Sequence, residues 1–109
     1  MNVFLAGIGS LLQLKPILTM KYGQPASEKV RTAEKATQHL VDMMHAYVPI
    51  EKFALLHTHA PEKAEKLRAR IENLLPERNP ISMDITPVLG AHLGPDAVGY
   101  ALVSKKEII

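Results

Sequence analysis

The chain has 109 residues, enough for one domain with a hydrophobic core and too few for two. Apolar residues make up 47% and charged residues 22%, which is the balance of a globular domain rather than a disordered one. A net charge of +2 is too small to indicate a nucleic-acid-binding surface. The absence of cysteine excludes disulfides, Cys-ligated zinc and a thiol nucleophile.

Residues 1–14 are almost wholly apolar, but they are fewer than the roughly 20 residues of a membrane span. Phe4, Ile8, Leu11 and Leu12 fall at helical spacing, and further apolar residues occupy the other sides. The pattern predicts a helix that must be buried on every side. It is either a central core helix or a helix that packs against protein missing from the chain. The second interpretation is favoured, because a domain this small has little room to enclose a helix.

The next segments predict a β-hairpin followed by a helix. Residues 15–21 have the composition of a short strand, and Tyr22-Gly23 is a turn signal from which residues 24–31 return as a second strand. Thr32 is a suitable N-cap for an amphipathic helix of about four turns, which Pro49 closes.

The second half of the chain alternates strand and helix. Residues 53–56 form a continuous apolar run, typical of a strand that is covered on both faces. Pro61 suits the first turn of a second helix. Residues 81–85 alternate between apolar and polar, which predicts a strand with one wet face. After a loop rich in Gly and Pro at residues 90–95, residues 97–103 form a final strand.

This order predicts a single α/β domain over residues 1–109 with a mixed, mostly parallel sheet and flanking helices. Strand–helix alternation favours crossover connections between parallel strands, and the hairpin adds antiparallel pairs.

Histidines are the first candidates for chemistry. His57 and His59 end a predicted strand two residues apart, so they are expected on one face and could ligate a metal together with His92. No third ligand lies at a supporting local spacing, which favours a structural pair and no metal. His39 and His45 lie off the apolar stripe of the first helix and are expected at the surface.

The segment 90–95 (GAHLGP) is the most informative part of the sequence. Gly90 and Gly94 flank His92, and a glycine-rich backbone can expose N–H groups to an anion. Arg31 lies just before a predicted helix N-terminus, which supplies free N–H groups and partial positive charge. A solvated arginine at a strand end remains the commoner case. Nucleotide-binding loops and hydrolase motifs are absent from the sequence, so an enzyme is not the favoured interpretation.

Four segments in order give a family resemblance. Residues 9–12 (GSLL), 14–18 (LKPIL), 29–32 (KVRT) and 90–95 (GAHLGP) resemble the C-terminal part of DegV-family proteins. Residues 59–67 (HAPEKAEKL) are similar to a strand-to-helix crossover of that family. Together the matches cover nearly the whole chain.

The resemblance implies a carrier of a long-chain fatty acid, cytoplasmic and without a cofactor, that presents the acid to a fatty acid kinase. In the family the acyl chain lies in an apolar tunnel between two α/β domains. Carried over by position, His92 is expected near the carboxylate, with Arg31 at the same mouth or in the surface that docks the kinase. Gly90 and Gly94 would permit the close loop. Leu11, Leu12 and Ile17 are candidates for the wall of the tunnel or the interdomain core.

Two departures from the family pattern stand out. Asp96 follows Gly94-Pro95 where the family usually has glycine, and its side chain and charge could crowd or repel an anionic head group. The family's N-terminal domain, with its hydroxyl ligands, is missing from this chain. Weak or no fatty acid binding is therefore expected of the chain alone. The alternatives are an interaction module that dimerises through the apolar N-terminal helix and, less favoured, a histidine-based metal enzyme.

Overall fold

A computed structural model describes residues 3–8, 15–21, 23–77, 79–85 and 96–105. They form one six-stranded sheet in the order β3-β2-β1-β6-β4-β5, with two α-helices. The elements along the chain are β1 (Val3–Ile8), β2 (Lys15–Lys21), β3 (Gln24–Val30), α1 (Ala33–His45), β4 (Ile50–His57), α2 (Pro61–Ile71), a 3₁₀ turn (Glu72–Leu74), β5 (Ile81–Asp84) and β6 (Val98–Ser104).

The first segment is a strand where a helix was expected. β1 lies inside the sheet and pairs antiparallel with β2 on one side and β6 on the other. An apolar run without a polar face is compatible with a buried strand as well as with a buried helix. Here the run pairs with two neighbouring strands. The helical prediction for residues 3–8 is therefore wrong, and the proposed dimer through an exposed N-terminal helix has no support. Residues 9–14 lie outside the described part.

The sheet is mixed, but mostly antiparallel. Of its five neighbour pairs only β4 and β5 are parallel, so the prediction of a mostly parallel sheet is wrong. The reason is strand order. β1, β3, β4 and β5 do point the same way, as the strand–helix alternation suggests, but β2 and β6 are inserted between them in the opposite direction. The hairpin of β2 and β3 is confirmed.

Both helices pack against the same face of the sheet. The Thr32 side chain accepts a hydrogen bond from the Lys35 backbone N–H at 3.1 Å and caps α1, as predicted. Pro61 occupies the first turn of α2. The apolar stripes of the helices share one core with alternate residues of the inner strands, including Phe4, Ala6 and Ile8 of β1.

Tyr100 is the largest side chain that is fully enclosed in this core. It lies on β6 between the aromatic rings of Phe4 and Phe53, and its hydroxyl donates a 2.7 Å hydrogen bond to the carbonyl oxygen of Leu40 in α1. Burial, with a smaller contribution from Tyr47, raises the pKa of Tyr100 above its ordinary value.

The opposite face of the sheet has no helix against it in the described ranges. We call it the open face. Leu18 and Met20 of β2 are partly exposed there, and Ile81 and Met83 of β5 are 68% and 50% exposed. All four residues of β5 are exposed, so the prediction of one covered face for this strand is wrong. The two helices of the described chain are too short or too polar to cross a membrane.

We expect Tyr100→Phe to lower the free energy of unfolding by about 1–2 kcal/mol, because the buried carbonyl of Leu40 loses a partner. Because folding raises this pKa, the unfolded chain ionises first and the wild type loses stability as the pH rises past about 10. Denaturant unfolding at neutral and alkaline pH measures both effects. Tyr47→Phe is the matched control, and equal losses in the two variants would contradict this role of Tyr100.

Candidate functional site

The open face holds a cavity of about 220 Å³ near the centre of the sheet. Its walls are almost entirely apolar and cross the sheet from β3 to β4. The residues that line it include Gly7, Leu18, Met20, Pro25, Leu56 and Gly99. An apolar cavity on an otherwise uncovered sheet face is suited to a hydrophobic group.

Two opposed glycines form the floor of this cavity. Gly7 of β1 and Gly99 of β6 are direct partners in the antiparallel register. Because successive residues of a strand alternate between faces, both positions belong to the open face while Ala6 and Ile8 enter the core. With no Cβ on either residue, the floor is deeper here than beside it.

The strands that point the same way end at one edge of the sheet, which we call the carboxyl edge. Thr58 follows β4 there and is fully buried. Its backbone N–H donates to the Ala97 carbonyl at 3.0 Å, its carbonyl accepts from the Asp96 N–H at 2.9 Å, and its hydroxyl accepts from the Ala97 N–H at 2.8 Å. These three hydrogen bonds fix Asp96 and Ala97, the two residues that follow segment 86–95.

Asp96 adopts a left-handed backbone conformation, with φ of 63°. This region favours glycine, because the Cβ of other residues crowds the backbone there. The Asp96 carbonyl oxygen accepts a 3.2 Å hydrogen bond from Lys63 of α2, and the Asp96 side chain is exposed. The aspartate is thus accommodated at a backbone cost.

The two neighbouring histidines have different partners. His57 is 8% exposed, and its Nδ1 accepts the Ala60 backbone N–H at 3.0 Å, so this nitrogen is not free for a metal. His59 lies beyond the strand with φ of 52°, is exposed, and pairs with Asp84 at 3.0 Å. The described residues contain no group of three or more metal-ligating side chains.

Arg31 is exposed and directly precedes the N-cap of α1. It lies at the carboxyl edge, beyond β3, whereas Asp96 precedes β6 at the same edge. Three inter-strand steps separate these strands, or about 14 Å. The topology thus places Arg31 at the carboxyl edge of the sheet, but not next to Asp96, which directly follows segment 86–95.

The remaining site residues divide into two groups. Ile17 is fully buried among the residues that face the helices, and the neighbouring Leu18 is the one that lines the cavity. Leu11, Leu12, Gly90, His92 and Gly94 lie outside the described residues. His39 pairs with Glu28 at 3.1 Å, and His45 is exposed, in agreement with their predicted surface positions.

Sequence reasoning missed the cavity and its floor. The available signal was Gly99 inside an otherwise apolar strand pattern, which often marks a close approach of another backbone. Gly7 gave no such signal while its segment was interpreted as a helix. Thr58 was missed because a lone threonine between two histidines has no distinguishing pattern.

These features define a two-layer α/β domain with an apolar cavity on the open face of its sheet. The chain belongs to the DegV family, whose family model, described as an uncharacterised protein family, matches residues 3–105. The family assignment confirms the predicted resemblance.

Curated relatives carry the same family name. A DegV domain-containing protein of Listeria innocua is 38% identical over 96 residues, which cover 84% of this chain and 34% of that protein. One of Clostridium acetobutylicum is 34% identical over 107 residues, 93% of this chain and 36% of its own length. The chain therefore spans about a third of the length of these relatives.

Solved structures share the fold. A fatty-acid-binding DegV family protein of Streptococcus agalactiae superposes with a TM-score of 0.75 at 22% identity, over 95% of this chain and 45% of that one. The fatty acid kinase B3 protein of Streptococcus pneumoniae, loaded with linoleic acid, gives a TM-score of 0.77 at 12% identity, with the same two coverages.

We expect Asp96→Gly to raise the free energy of unfolding by about 0.5–1 kcal/mol, because glycine adopts the left-handed conformation without a Cβ clash. Denaturant unfolding measures the change. Asp96→Ala is the matched control, since it removes the charge and keeps the Cβ. If alanine stabilised the chain as much as glycine, the charge and not the backbone would be responsible.

Proposed function

We propose that this chain is the C-terminal portion of a DegV-family carrier and forms one wall of its site for a long-chain fatty acid. The bound acid is presented to a fatty acid kinase in the cytoplasm, and this chain holds the acid without acting on it chemically. The observation that carries the proposal is the apolar cavity on the uncovered face of the sheet.

The energetics of a hydrocarbon tail suit this face. Each methylene removed from water contributes about 0.8 kcal/mol, so a shallow apolar wall gives affinity in proportion to the tail that it covers. Leu18, Met20 and Leu56 supply aliphatic contacts around the glycine floor. Polar side chains are scarce in the cavity, which favours a tail over a head group at this place.

A second wall completes the site in this proposal. The chain spans about a third of the length of its curated relatives. The family resemblance implies that the tail lies between two α/β domains, of which this chain supplies one. The open face would then meet the other domain, with the acyl chain between them. Large apolar residues left on a surface are typical of such a covered face, and Ile81 and Met83 extend it beyond the cavity.

The carboxylate end is assigned to the carboxyl edge of the sheet. Ile85 and Asp96, which flank segment 86–95, are both held there by hydrogen bonds to the end of β4. In the proposal His92 donates a hydrogen bond to the carboxylate, and Gly90 and Gly94 allow its loop to approach closely. A buried carboxylate needs such a donor. Arg31, exposed at the same edge but farther along it, fits a role in docking the kinase.

We expect palmitoleate, added to the isotope-labelled chain below its aggregation concentration, to shift the amide resonances of Gly7, Leu18 and Gly99. Those of Gln38 and His45 on α1 should stay in place, because that helix packs on the other face. NMR titration detects even weak binding, as expected of a site with a single wall. Shifts confined to the helices, or none at saturation, would contradict the proposed tail site.

The strength of binding is a second check on the two-wall arrangement. Affinity of the isolated chain in the nanomolar range would show that no second wall is needed, and that part of the proposal would be abandoned.

We expect His92→Ala to weaken the binding of palmitoleate about tenfold, the effect of losing one hydrogen bond to a charged group. Binding of palmitoleyl alcohol should change little, because the variant leaves the apolar face intact. NMR titrations with both ligands measure the difference. His45→Ala, at an exposed position on α1, is the matched control. Equal weakening for acid and alcohol would remove His92 from the carboxylate site.

A further inference from the structure

The two glycines of the cavity floor differ in whether the fold requires glycine at their position. A Cβ on Gly99 would overlap the carbonyl oxygen of Ala6 and the Cα of Gly7, so the backbones of β1 and β6 require glycine at this position. A Cβ on Gly7 would meet its nearest neighbour, the Val98 carbonyl oxygen, at 3.4 Å, which is ordinary van der Waals contact. The fold therefore requires Gly99 but has room for a side chain at Gly7.

Glycine at position 7 lowers the stability of the fold, and the backbone there does not require it. In the middle of a strand glycine is less stable than alanine, because it loses more backbone entropy on folding. Its backbone does not adopt a left-handed conformation, which would have called for glycine. The space that a methyl group would fill belongs to the cavity. Glycine at this position thus makes the cavity floor deeper at the expense of stability. A feature that lowers stability without a structural need indicates a function.

We infer that Gly7 is a specificity-determining residue that selects an acyl chain bent by a cis double bond. This inference rests on the proposed function. A straight saturated chain has a uniform cross-section, so a local depression under it would remain an unfilled void, which forfeits dispersion contacts. A bent chain projects carbon atoms out of line and fills the depression between Leu18 and Leu56.

The test compares palmitoleate with palmitate, which have equal length and differ by one cis double bond. The apparent dissociation constants of both acids are measured by NMR titration for the wild type, Gly7→Ala and Ala101→Val. Ala101 lies two residues beyond Gly99 on β6 and is half-buried, so its variant adds bulk to the same strand pair away from the glycine floor. Denaturant unfolding of each variant checks its fold.

We expect the wild type to prefer palmitoleate, and Gly7→Ala to reduce that preference about fourfold, the factor given by the transfer free energy of one methylene. Ala101→Val should keep the wild-type preference. If Gly7→Ala does not fold, the comparison of the two acids on the wild type still tests the inference.

Other outcomes overturn the inference. Equal affinity of the wild type for the two acids, or an unchanged preference in a folded Gly7→Ala chain, would remove Gly7 as the selecting residue while leaving a tail site on this face. Failure of either acid to shift the cavity amides of the wild type would instead reject the proposed function and this inference together.

Discussion

At the centre of the sheet, β1 and β6 approach so closely at Gly99 that any side chain there would overlap the backbone of β1. This approach joins the two halves of the molecule, because β1 carries the hairpin of β2 and β3 while β6 pairs with β4. Gly99 and its register partner Gly7 both lack a Cβ on the open face. The contact that joins the two halves of the sheet therefore accounts for Gly99, one of the two glycines under the depression.

The second constraint is that both helices lie on one face. Tyr100 and the aromatic residues around it fill that side, and the Tyr100 hydroxyl fastens β6 to α1. Nothing in the described ranges performs the same task on the other side, where Ile81 and Met83 remain exposed. The described chain thus buries one face of its sheet under the helices and leaves large apolar residues of the other face exposed.

The carboxyl edge combines rigidity with backbone strain. Thr58 fixes the stem of segment 86–95 through three hydrogen bonds, and Asp96 takes a conformation that favours glycine. The Nδ1 of His57 accepts a hydrogen bond from the backbone of the turn after β4, so this side chain also fixes the path of the chain at the carboxyl edge.

Local signals in the amino-acid sequence were enough to determine the hairpin, both helices with Thr32 and Pro61 at their starts, and the final strand. They act over a few residues through turn geometry, capping and periodicity. The motifs of the family were equally readable, because they are strings of neighbouring residues. Only the tertiary structure decided that residues 3–8 form a central strand, that β6 separates β1 from β4, and that Ile17 turns inward while Leu18 turns outward. These outcomes depend on which strands become neighbours, and the pairing of distant segments leaves no local pattern. The cavity floor is the clearest case, since it exists only when Gly7 and Gly99, far apart along the chain, meet in register.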